Sequence, residues 1–315
     1  METMIDQAKG KSEIILAHGE VHHPACSAHD VALFLKSANS EARGLLFDSM
    51  KELNVSECLY SEAGSARFVV HTNDKFISRQ LYSAGSTEFD KFKVAVDLVS
   101  SLRDSSEFAV LLDIGANIGG ICIPAVKSCC IERAIAVEPD HRNCDLLHAN
   151  IAINGLRHKI DVIERAASSV DDEIAVMGLS PDNYGDHRIF QTRAPGRFGE
   201  SEWAQSTVRT IRIDSLVADD PDQSCFVWMD IQGYEGLALL GAEQLLARKP
   251  PLVLEFWPYG MMRSDSFGAL RRATSHYSGF VALDDPTRQM RPMLDLPLLF
   301  EKLGMGGMFT DILVI

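Results

Sequence analysis

The 315-residue sequence predicts an α/β fold, a mostly parallel sheet with helices on both faces. From Val110 onward, short apolar runs of strand length alternate with segments of helical pattern. The first of these runs ends in a glycine turn that opens a predicted helix. Several of the runs end in an acidic residue, and the carboxyl ends of parallel strands meet at one edge of a sheet. The fold therefore predicts an acidic rim at that edge.

The glycine turn is the motif Asp113-Ile-Gly-Ala-Asn-Ile-Gly119. Gly115 and Gly119 allow the backbone to turn sharply and a ligand to approach it closely. The turn leads into a helix predicted from about Ile118 to Cys130, where free N–H groups favour negative charge. Glu138 ends the next predicted strand, about 20 residues beyond the glycines, where a carboxylate can hydrogen-bond a ribose. The sequence therefore predicts a site for a nucleoside-containing cofactor.

The predicted cofactor is S-adenosyl-L-methionine (SAM) rather than NAD. A dinucleotide site favours Gly-x-Gly-x-x-Gly, but Asn117 holds the middle position here. Asp113 would repel a pyrophosphate and attract an ammonium group. SAM carries an ammonium and a sulfonium and has no phosphate. An NAD(P)-dependent oxidoreductase and an empty strand-turn-helix remain alternatives to a SAM site.

Composition limits the class of protein and its partners. Hydrophobic residues make up 46% and charged residues 23%, as in soluble globular proteins. A net charge of −14 disfavours nucleic acid and anionic membranes as partners. No apolar run approaches the roughly 20 residues that a bilayer requires, and the N-terminus lacks the pattern of a signal peptide. These features predict a cytoplasmic protein that does not bind membranes; the oligomeric state stays open.

Cysteine and histidine usage predicts no metal site. The seven cysteines have no zinc-type spacing, which indicates reduced, mostly core thiols. Four of the ten histidines lie between His18 and His29, close to Glu20 and Cys26. Because no helical i,i+4 pair or Cys-x2-Cys frames them, a solvated loop is favoured over a metal site.

Residues 1–105 are predicted to form an N-terminal extension, and residues 106–315 the core domain. The extension would contain a tail, helices with candidate caps at Ser27 and Ser40, and a hairpin over Arg67–Leu81 that turns at Asn73-Asp74. An amphipathic helix after Ser86 would lead into the core. Glu88 at its start would either face the cofactor cleft or only stabilise the helix dipole.

The core continues with a helix from Asp140 to Asn154-Gly155 and a third strand over Asp161–Ala167. Ala166 and Ala167 would leave room for a flat ring such as adenine. Residues 171–207 interrupt the alternation. Ile174–Leu179 would add an extra strand, and the stretch from about 180 to 207 is typical of a substrate lid. The strand that follows would span Val208–Ile213.

Two further strands complete the predicted rim. One delivers Asp230, after which Gly233 would open a helix to about Arg248, and the next ends in Glu255. Asp113, Glu138, Asp230 and Glu255 are therefore expected to converge on one edge of the sheet. Closing strands are predicted near 279–283 and 308–315.

Together these motifs resemble the FkbM family of SAM-dependent methyltransferases, within the class I Rossmann-like methyltransferase fold. The resemblance covers roughly Gly85 to Leu283. It rests on the glycine turn, Ala136-Val-Glu-Pro-Asp140, Asn150 with Asn154-Gly155, Ala166-Ala167, Ile213-Asp-Ser-Leu216, Met229-Asp-Ile-Gln-Gly-Tyr-Glu235 and Leu252-Val-Leu-Glu255. It implies a seven-stranded sheet with the last strand antiparallel, and methyl transfer, usually to a hydroxyl oxygen.

The resemblance also implies roles for individual residues. The methionine part of SAM would be held by Asp113, Gly115, Asn117 and Gly119. Glu138 would bind the ribose, and Ala166 would border adenine. Asp230 would lie near the transferred methyl group and is the first candidate for a general base, followed by His187 and Glu235. The expected acceptor is a small molecule or glycan; a non-catalytic SAM-binding scaffold remains an alternative.

Overall fold

The computed structural model describes residues 37–86, 88–103, 108–190, 192, 195–217 and 224–315. The predicted N-terminal tail, the cap at Ser27 and the histidine-rich segment 18–29 lie outside the described residues.

The described chain alternates helices and strands from residue 110 onward. The helices are α1 (Ser40–Glu52), α2 (Ile77–Ala84), α3 (Phe89–Leu102), α4 (Cys122–Lys127), α5 (His141–Ile153), α6 (Ile213–Leu216), α7 (Glu235–Leu239), α8 (Glu243–Ala247), α9 (Pro258–Ser264), α10 (Phe267–Ala273) and α11 (Leu296–Leu303). The strands are β1 (Cys58–Ala63), β2 (Ala66–His71), β3 (Val110–Ile114), β4 (Arg133–Val137), β5 (Ile160–Ile163), β6 (Ala166–Ser168), β7 (Ile174–Leu179), β8 (Arg188–Ile189), β9 (Ala204–Arg212), β10 (Cys225–Met229), β11 (Leu252–Phe256), β12 (Gly279–Ala282), β13 (Arg291–Pro292) and β14 (Thr310–Val314).

The central sheet has the order β13-β12-β14-β11-β10-β3-β4-β5. Strands β11, β10, β3, β4 and β5 pair in parallel, while β14 runs antiparallel to both β11 and β12. This arrangement confirms the predicted α/β fold with a late antiparallel strand. The two-residue strand β13 adds an eighth strand at the edge, one more than the resemblance implied.

Strands β3, β10, β11 and β14 are buried along their whole length because helices cover both faces of the sheet. Successive side chains along each of these strands therefore pack into two different apolar clusters, one on each face of the sheet. Leu111 belongs to one apolar cluster and Leu112 to the other. With both faces closed, the carboxyl ends of these strands are the edge where polar side chains can meet.

The N-terminal extension docks on the core through two asparagines of α5. Asn150 accepts a hydrogen bond from the Val69 N–H at 2.6 Å and donates to the Val69 carbonyl at 3.2 Å. Asn154 pairs in the same way with Arg67, at 3.0 and 2.7 Å. Four residues of helix rise about 6 Å and two residues of strand about 6.6 Å, so the two amides match alternate residues of β2.

The prediction of a hairpin over residues 67–81 is wrong, because the hairpin lies earlier in the chain. The hairpin is formed by β1 and β2 and turns between Ala63 and Ala66. Residues 77–84 form helix α2 instead, because the Asp74 carboxylate accepts hydrogen bonds from the N–H groups of Phe76 and Ser78 at 3.1 and 2.8 Å. The expected turn residue is thus the starting point of a helix.

Strands of the insertion and of the segments on either side of it form a second, four-stranded sheet of order β6-β9-β7-β8. The predicted third strand is therefore split: residues 160–163 pair with β4, whereas Ala166 begins β6 and pairs with Thr210 of β9. Strand β7 confirms the extra strand predicted over Ile174–Leu179. β9 begins at Ala204, four residues before the predicted strand, because its residues 204–209 pair with the whole of β7.

Several helix bounds also differ from prediction. The helix after the glycine turn spans only Cys122–Lys127. The helix expected to reach Arg248 is broken into α7 and α8 at Gly241, where a β-carbon would lie 2.2 Å from the Ser168 carbonyl oxygen. Helix α5, with its Asp140 cap, and helix α3 confirm the prediction.

Within the described ranges, no helix combines the length and apolarity needed to cross a bilayer. Of the six described cysteines, three are buried and three, Cys58, Cys129 and Cys130, are exposed, so only half of them meet the expectation of core thiols.

Candidate active site

A cavity of about 410 Å³ opens at the carboxyl ends of β3, β10 and β11. Its walls come from the glycine turn, the strand tips, α2, the start of α3, the insertion and the loop before β14. The acidic lining residues are Glu88, Asp113, Asp186, Asp230 and Glu255. The aromatic lining residues are Phe76, Phe198, Trp228, Trp257 and Phe309.

The structure brings five of the predicted site residues into this cavity, namely Glu88, Asp113, Gly115, Asn117 and Asp230. The other five, Gly119, Glu138, Ala166, His187 and Glu235, do not line it. The contacts that each of those five makes instead are described below.

Gly115 follows the tip of β3 and lies against the backbone that follows β10. Its φ is +89°, and a β-carbon there would lie 1.9 Å from the carbonyl oxygen of Asp230. Gly119 also has positive φ, but its missing β-carbon would meet Ile123 and Leu147 of the core. Gly115 therefore shapes the cleft, while Gly119 lets the turn pack on the helices below it.

Asp113 connects β3 to the helix that follows the turn. Its carboxylate accepts a hydrogen bond from the Cys122 N–H at 3.0 Å, at the start of α4. The side chain is 1% exposed, and burial raises the pKa of its carboxyl to about 6. A cationic ligand in the cleft would favour the ionised form, because opposite charges lower the pKa of a carboxyl.

Glu138 lies beneath the turn, with both oxygens hydrogen-bonded. One accepts from the Asn117 N–H at 2.9 Å; the other accepts from the Asp140 N–H at 2.9 Å and the Asn143 side-chain amide at 3.3 Å. Burial raises its pKa to about 7. Glu138 therefore holds the conformation of the glycine turn.

The insertion contacts the turn through Tyr184. Its carbonyl accepts hydrogen bonds from the side-chain amides of Asn117 and Asn143, both at 3.1 Å. Ala166 lines a separate cavity of about 20 Å³ that shares Gly115 with the main cleft. The place predicted for adenine is thus narrow and lies directly beside the place predicted for the methionine part.

Asp230 and Glu255 share a hydrogen-bond donor in the cleft. The Gln232 side-chain amide donates to Asp230 at 2.7 Å and to Glu255 at 3.2 Å. Gln232 is in the left-handed region at φ +57°, which a non-glycine residue rarely adopts. Burial, with the negative charges nearby, raises the pKa of both carboxyls well above the usual range.

The other two candidates for a general base are engaged outside the cavity. Nδ1 of His187 accepts a hydrogen bond from the Ser180 N–H at 3.1 Å. Glu235 is fully buried; its carboxylate accepts from the N–H groups of Ile231 and Gly233, both at 3.1 Å, and burial raises its pKa to about 7.

Two features of the site carried no sequence signal. Lys91 of α3 forms ion pairs with Glu88, Asp284 and Asp311, which come together only in the folded chain. Arg188 of the insertion pairs with Asp186 and Glu200 and lies 4.6 to 5.2 Å from the ring centres of Trp257, Trp203 and Phe198. Gln232, Trp257 and Phe309 were missed because their places depend on long-range packing.

The chemistry of the cleft fits the methionine and sulfonium end of SAM. Among the charged side chains of its described lining, five are acidic and one is basic, which suits two positive charges and opposes a pyrophosphate. The close approach of Gly115 to Asp230 leaves a cradle that only glycine permits. In the described part of the chain, no group of three or more His, Cys, Asp or Glu side chains is arranged to hold a metal ion.

Comparison with solved structures finds proteins of low sequence identity. A methyltransferase FkbM from Methylobacillus flagellatus KT is 17% identical, with 66% of this chain and 44% of that chain covered and a TM-score of 0.39. For a Pyrococcus abyssi tRNA (uracil-54, C5)-methyltransferase in complex with S-adenosyl-L-homocysteine, identity is 14%, coverage 82% and 43%, and TM-score 0.40. A Geobacter metallireducens precorrin-6y C5,15-methyltransferase is 14% identical, with 71% of this chain and 87% of that chain covered and a TM-score of 0.36.

The chain spans less than half the length of the first two of these proteins. No curated protein matches the chain. The Methyltransferase FkbM domain model, in contrast, matches residues 113–277, which is just over half of the sequence. That range includes the glycine turn, the second sheet, and the strands that carry Asp230 and Glu255. The chain belongs to the FkbM family of SAM-dependent methyltransferases.

Proposed function

We propose that the protein transfers the methyl group of SAM to a hydroxyl oxygen of a small-molecule or glycan acceptor. The observation that carries this proposal is the single cavity shared by Asp113, Gly115 and Asn117 of the glycine turn and by Asp230 and Glu255. Its volume of about 410 Å³ lies in the range of small-molecule sites. The cofactor supplies an electrophilic methyl group, so the protein must align the acceptor and exclude water.

We assign the cofactor contacts to two groups of residues. Asp113, Gly115, Asn117, Asp230 and Glu88 would surround the methionine part, and Gly119 and Glu138 would keep the turn in shape. Glu138 would meet the ribose once the contacts of Asn117 or Asn143 rearrange. Ala166 would border the adenine in the narrow cavity beside Gly115.

The acceptor half of the cleft is built largely by segments outside the family match. Phe76, Gln80 and Ser86 of the N-terminal extension and Phe309 of the C-terminal loop line the same cavity. With the insertion at 180–207 acting as a lid, these residues would select the acceptor. We therefore propose that the extension before residue 106 serves the core domain at 106–315 as a wall of its site.

Charge supports a neutral or cationic acceptor over nucleic acid. Among the described residues that line the cavity, five are acidic, and the one arginine is paired with Asp186 and Glu200. The whole chain carries −14, whereas a protein that grips a phosphate backbone needs basic surface.

The test is methyl transfer from SAM labelled in its methyl group. A panel of sugars and hydroxylated small molecules should include an acceptor that becomes labelled and whose deoxy or pre-methylated analogue does not. The same assay with tRNA tests the nucleic-acid alternative. Labelling of tRNA alone, or of a carbon or nitrogen atom, would contradict the proposal. Binding of S-adenosyl-L-homocysteine (SAH) without transfer to any acceptor would favour a scaffold role, and a thermal shift with NAD alone an oxidoreductase.

A further inference from the structure

We propose that Asp230 and Glu255 act together as the proton acceptor of the methyl transfer. In this proposal the two carboxyls, bridged by the Gln232 amide, hold one proton between them and present one net negative charge to the transferred methyl group. The inference rests on the proposed function, since it assigns the base of that reaction.

The sheet places the two carboxylates side by side. Met229 of β10 pairs in parallel with Leu254 of β11, so the next positions along both strands, 230 and 255, are neighbours on one face. Both side chains line the cleft. The Gln232 amide lies between them and donates one hydrogen bond to each.

The surroundings favour one charge on the pair rather than two. Further carboxylates face it from the start of α3 (Glu88), from α7 (Glu235) and from β14 (Asp311). Lys91 pairs with Glu88, Asp284 and Asp311, and within the described ranges no ion pair reaches Asp230 or Glu255. Glu255 is buried and Asp230 is half-buried. Two adjacent carboxylates in such a place without a cation hold one proton between them, because ionising both has a high free-energy cost.

The cavity offers no better base. Among the described residues, its lining contains no histidine, lysine, cysteine or tyrosine. Asp186 is held by Arg188 at 2.6 Å, and Asp113 accepts the Cys122 N–H. Glu88 has a side chain 47% exposed to solvent and lies beside Lys91. The pair at 230 and 255 is therefore the group positioned to take a proton inside the cleft.

The step balances without any further reactant. The acceptor oxygen forms a bond to the methyl carbon while the sulfur–methyl bond breaks, and the electron pair of that bond stays on sulfur, which becomes neutral. The hydroxyl proton passes to the ionised member of the pair and later leaves to water. The products are the methyl ether, SAH and one proton.

The test needs no acceptor. Sinefungin carries a protonated amine where SAM carries its sulfonium methyl, whereas SAH is neutral there. Calorimetric titration of the full chain gives the ratio of the two dissociation constants, in which any loss common to both ligands cancels. Wild type should bind sinefungin at least about tenfold more tightly than SAH, because the amine meets the charge of the pair.

Variants of Asp230 and Glu255 distinguish one negative charge shared by the pair from two independent charges. In Asp230→Asn and in Glu255→Gln, the preference for sinefungin over SAH should stay within about threefold of the wild-type value, because the remaining carboxylate ionises alone. In the double variant, this preference should fall by at least about tenfold. Asp161→Asn, on the surface of β5, is the matched control and should leave the ratio unchanged. Thermal midpoints without ligand verify that each variant is folded.

Four results would overturn the proposal. A single substitution that costs as much as the double one would assign the charge to one residue. Strictly additive losses would mean two independent charges. A double variant that keeps the full preference would place neither carboxylate beside the methyl group. Failure of wild type to bind either ligand would overturn the proposed function as well.

Discussion

The carbonyl of Asp230 lies against Gly115, at the point where the tips of β3 and β10 meet. A β-carbon on residue 115 would lie 1.9 Å from that oxygen, closer than any real contact. The glycine turn is therefore shaped by the neighbouring strand as well as by a ligand. One backbone position thus links the stability of the sheet edge to the geometry of the cleft.

Gly115→Ala should damage both stability and cofactor binding. The substitution combines a steric overlap with a left-handed backbone, so we expect a loss of about 3 kcal/mol in the free energy of unfolding. We also expect the thermal shift with SAH to disappear. Gly155→Ala is the control: φ is +72°, but no atom lies within 4 Å of the added carbon, so about 1 kcal/mol should be lost. Equal losses from the two substitutions would contradict the close approach.

The two asparagines of α5 should contribute unequally to the docking of the N-terminal extension. Asn150 is fully buried and also donates to the Ile118 carbonyl at 3.0 Å. Asn150→Ala leaves buried backbone groups unpaired and should cost about 2–3 kcal/mol, whereas Asn154→Ala, where water can replace the amide, should cost about 1 kcal/mol. Urea denaturation followed by tryptophan fluorescence measures both. A larger loss at Asn154 would mean that the bonds to β2 do not govern docking.

Stability should fall as pH rises through the titration of Glu235. Burial raises the folded-state pKa of this carboxyl to about 7 from an ordinary 4.5. Between these values the folded state binds more protons than the unfolded state, so the free energy of unfolding decreases toward pH 7 and then levels off. Glu235→Gln should remove the contribution of this carboxyl to the pH dependence. Compared with wild type, the free energy of unfolding of the variant should therefore be higher at pH 8 than at pH 4.5 by on the order of 2 kcal/mol.

Chemical denaturation at several pH values measures this effect. Glu243→Gln on α8, an exposed acid of the following helix, should leave the pH profile unchanged. An unaltered profile in Glu235→Gln would show that the carboxyl does not titrate in this window.

Arg188 should hold the insertion on the core. Its side chain is 7% exposed, pairs with two carboxylates and lies against the ring of Trp257. Arg188→Met leaves Asp186 and Glu200 without their cation and should cost about 3–5 kcal/mol. Limited proteolysis should then cut within 180–207 faster than in wild type. Arg165→Met, at an exposed ion pair 3.9 Å long, should change neither property; faster cleavage there as well would point to a generally loose insertion.

Sequence patterns succeeded where the signal is local. The apolar runs, the Asp140 cap and the glycine turn placed the core strands and α5 correctly, because strand burial and helix capping depend on neighbours along the chain. The hairpin over residues 67–81 failed because Asp74 starts a helix as readily as it forms a turn. The strand expected over Asp161–Ala167 was split because the insertion supplies a second sheet that captures Ala166.

By itself, the sequence determined the α/β alternation, the glycine turn and the acids at the strand tips, and through them the family and its cofactor. Only the tertiary structure decided which acids share a cavity. Asp230 and Glu255 meet because β10 and β11 are adjacent in the sheet, and Gln232 reaches both of them from its left-handed backbone position. The walls from α2 and the C-terminal loop likewise come from residues far away in sequence. Long-range packing sets such distances, and no local pattern records them.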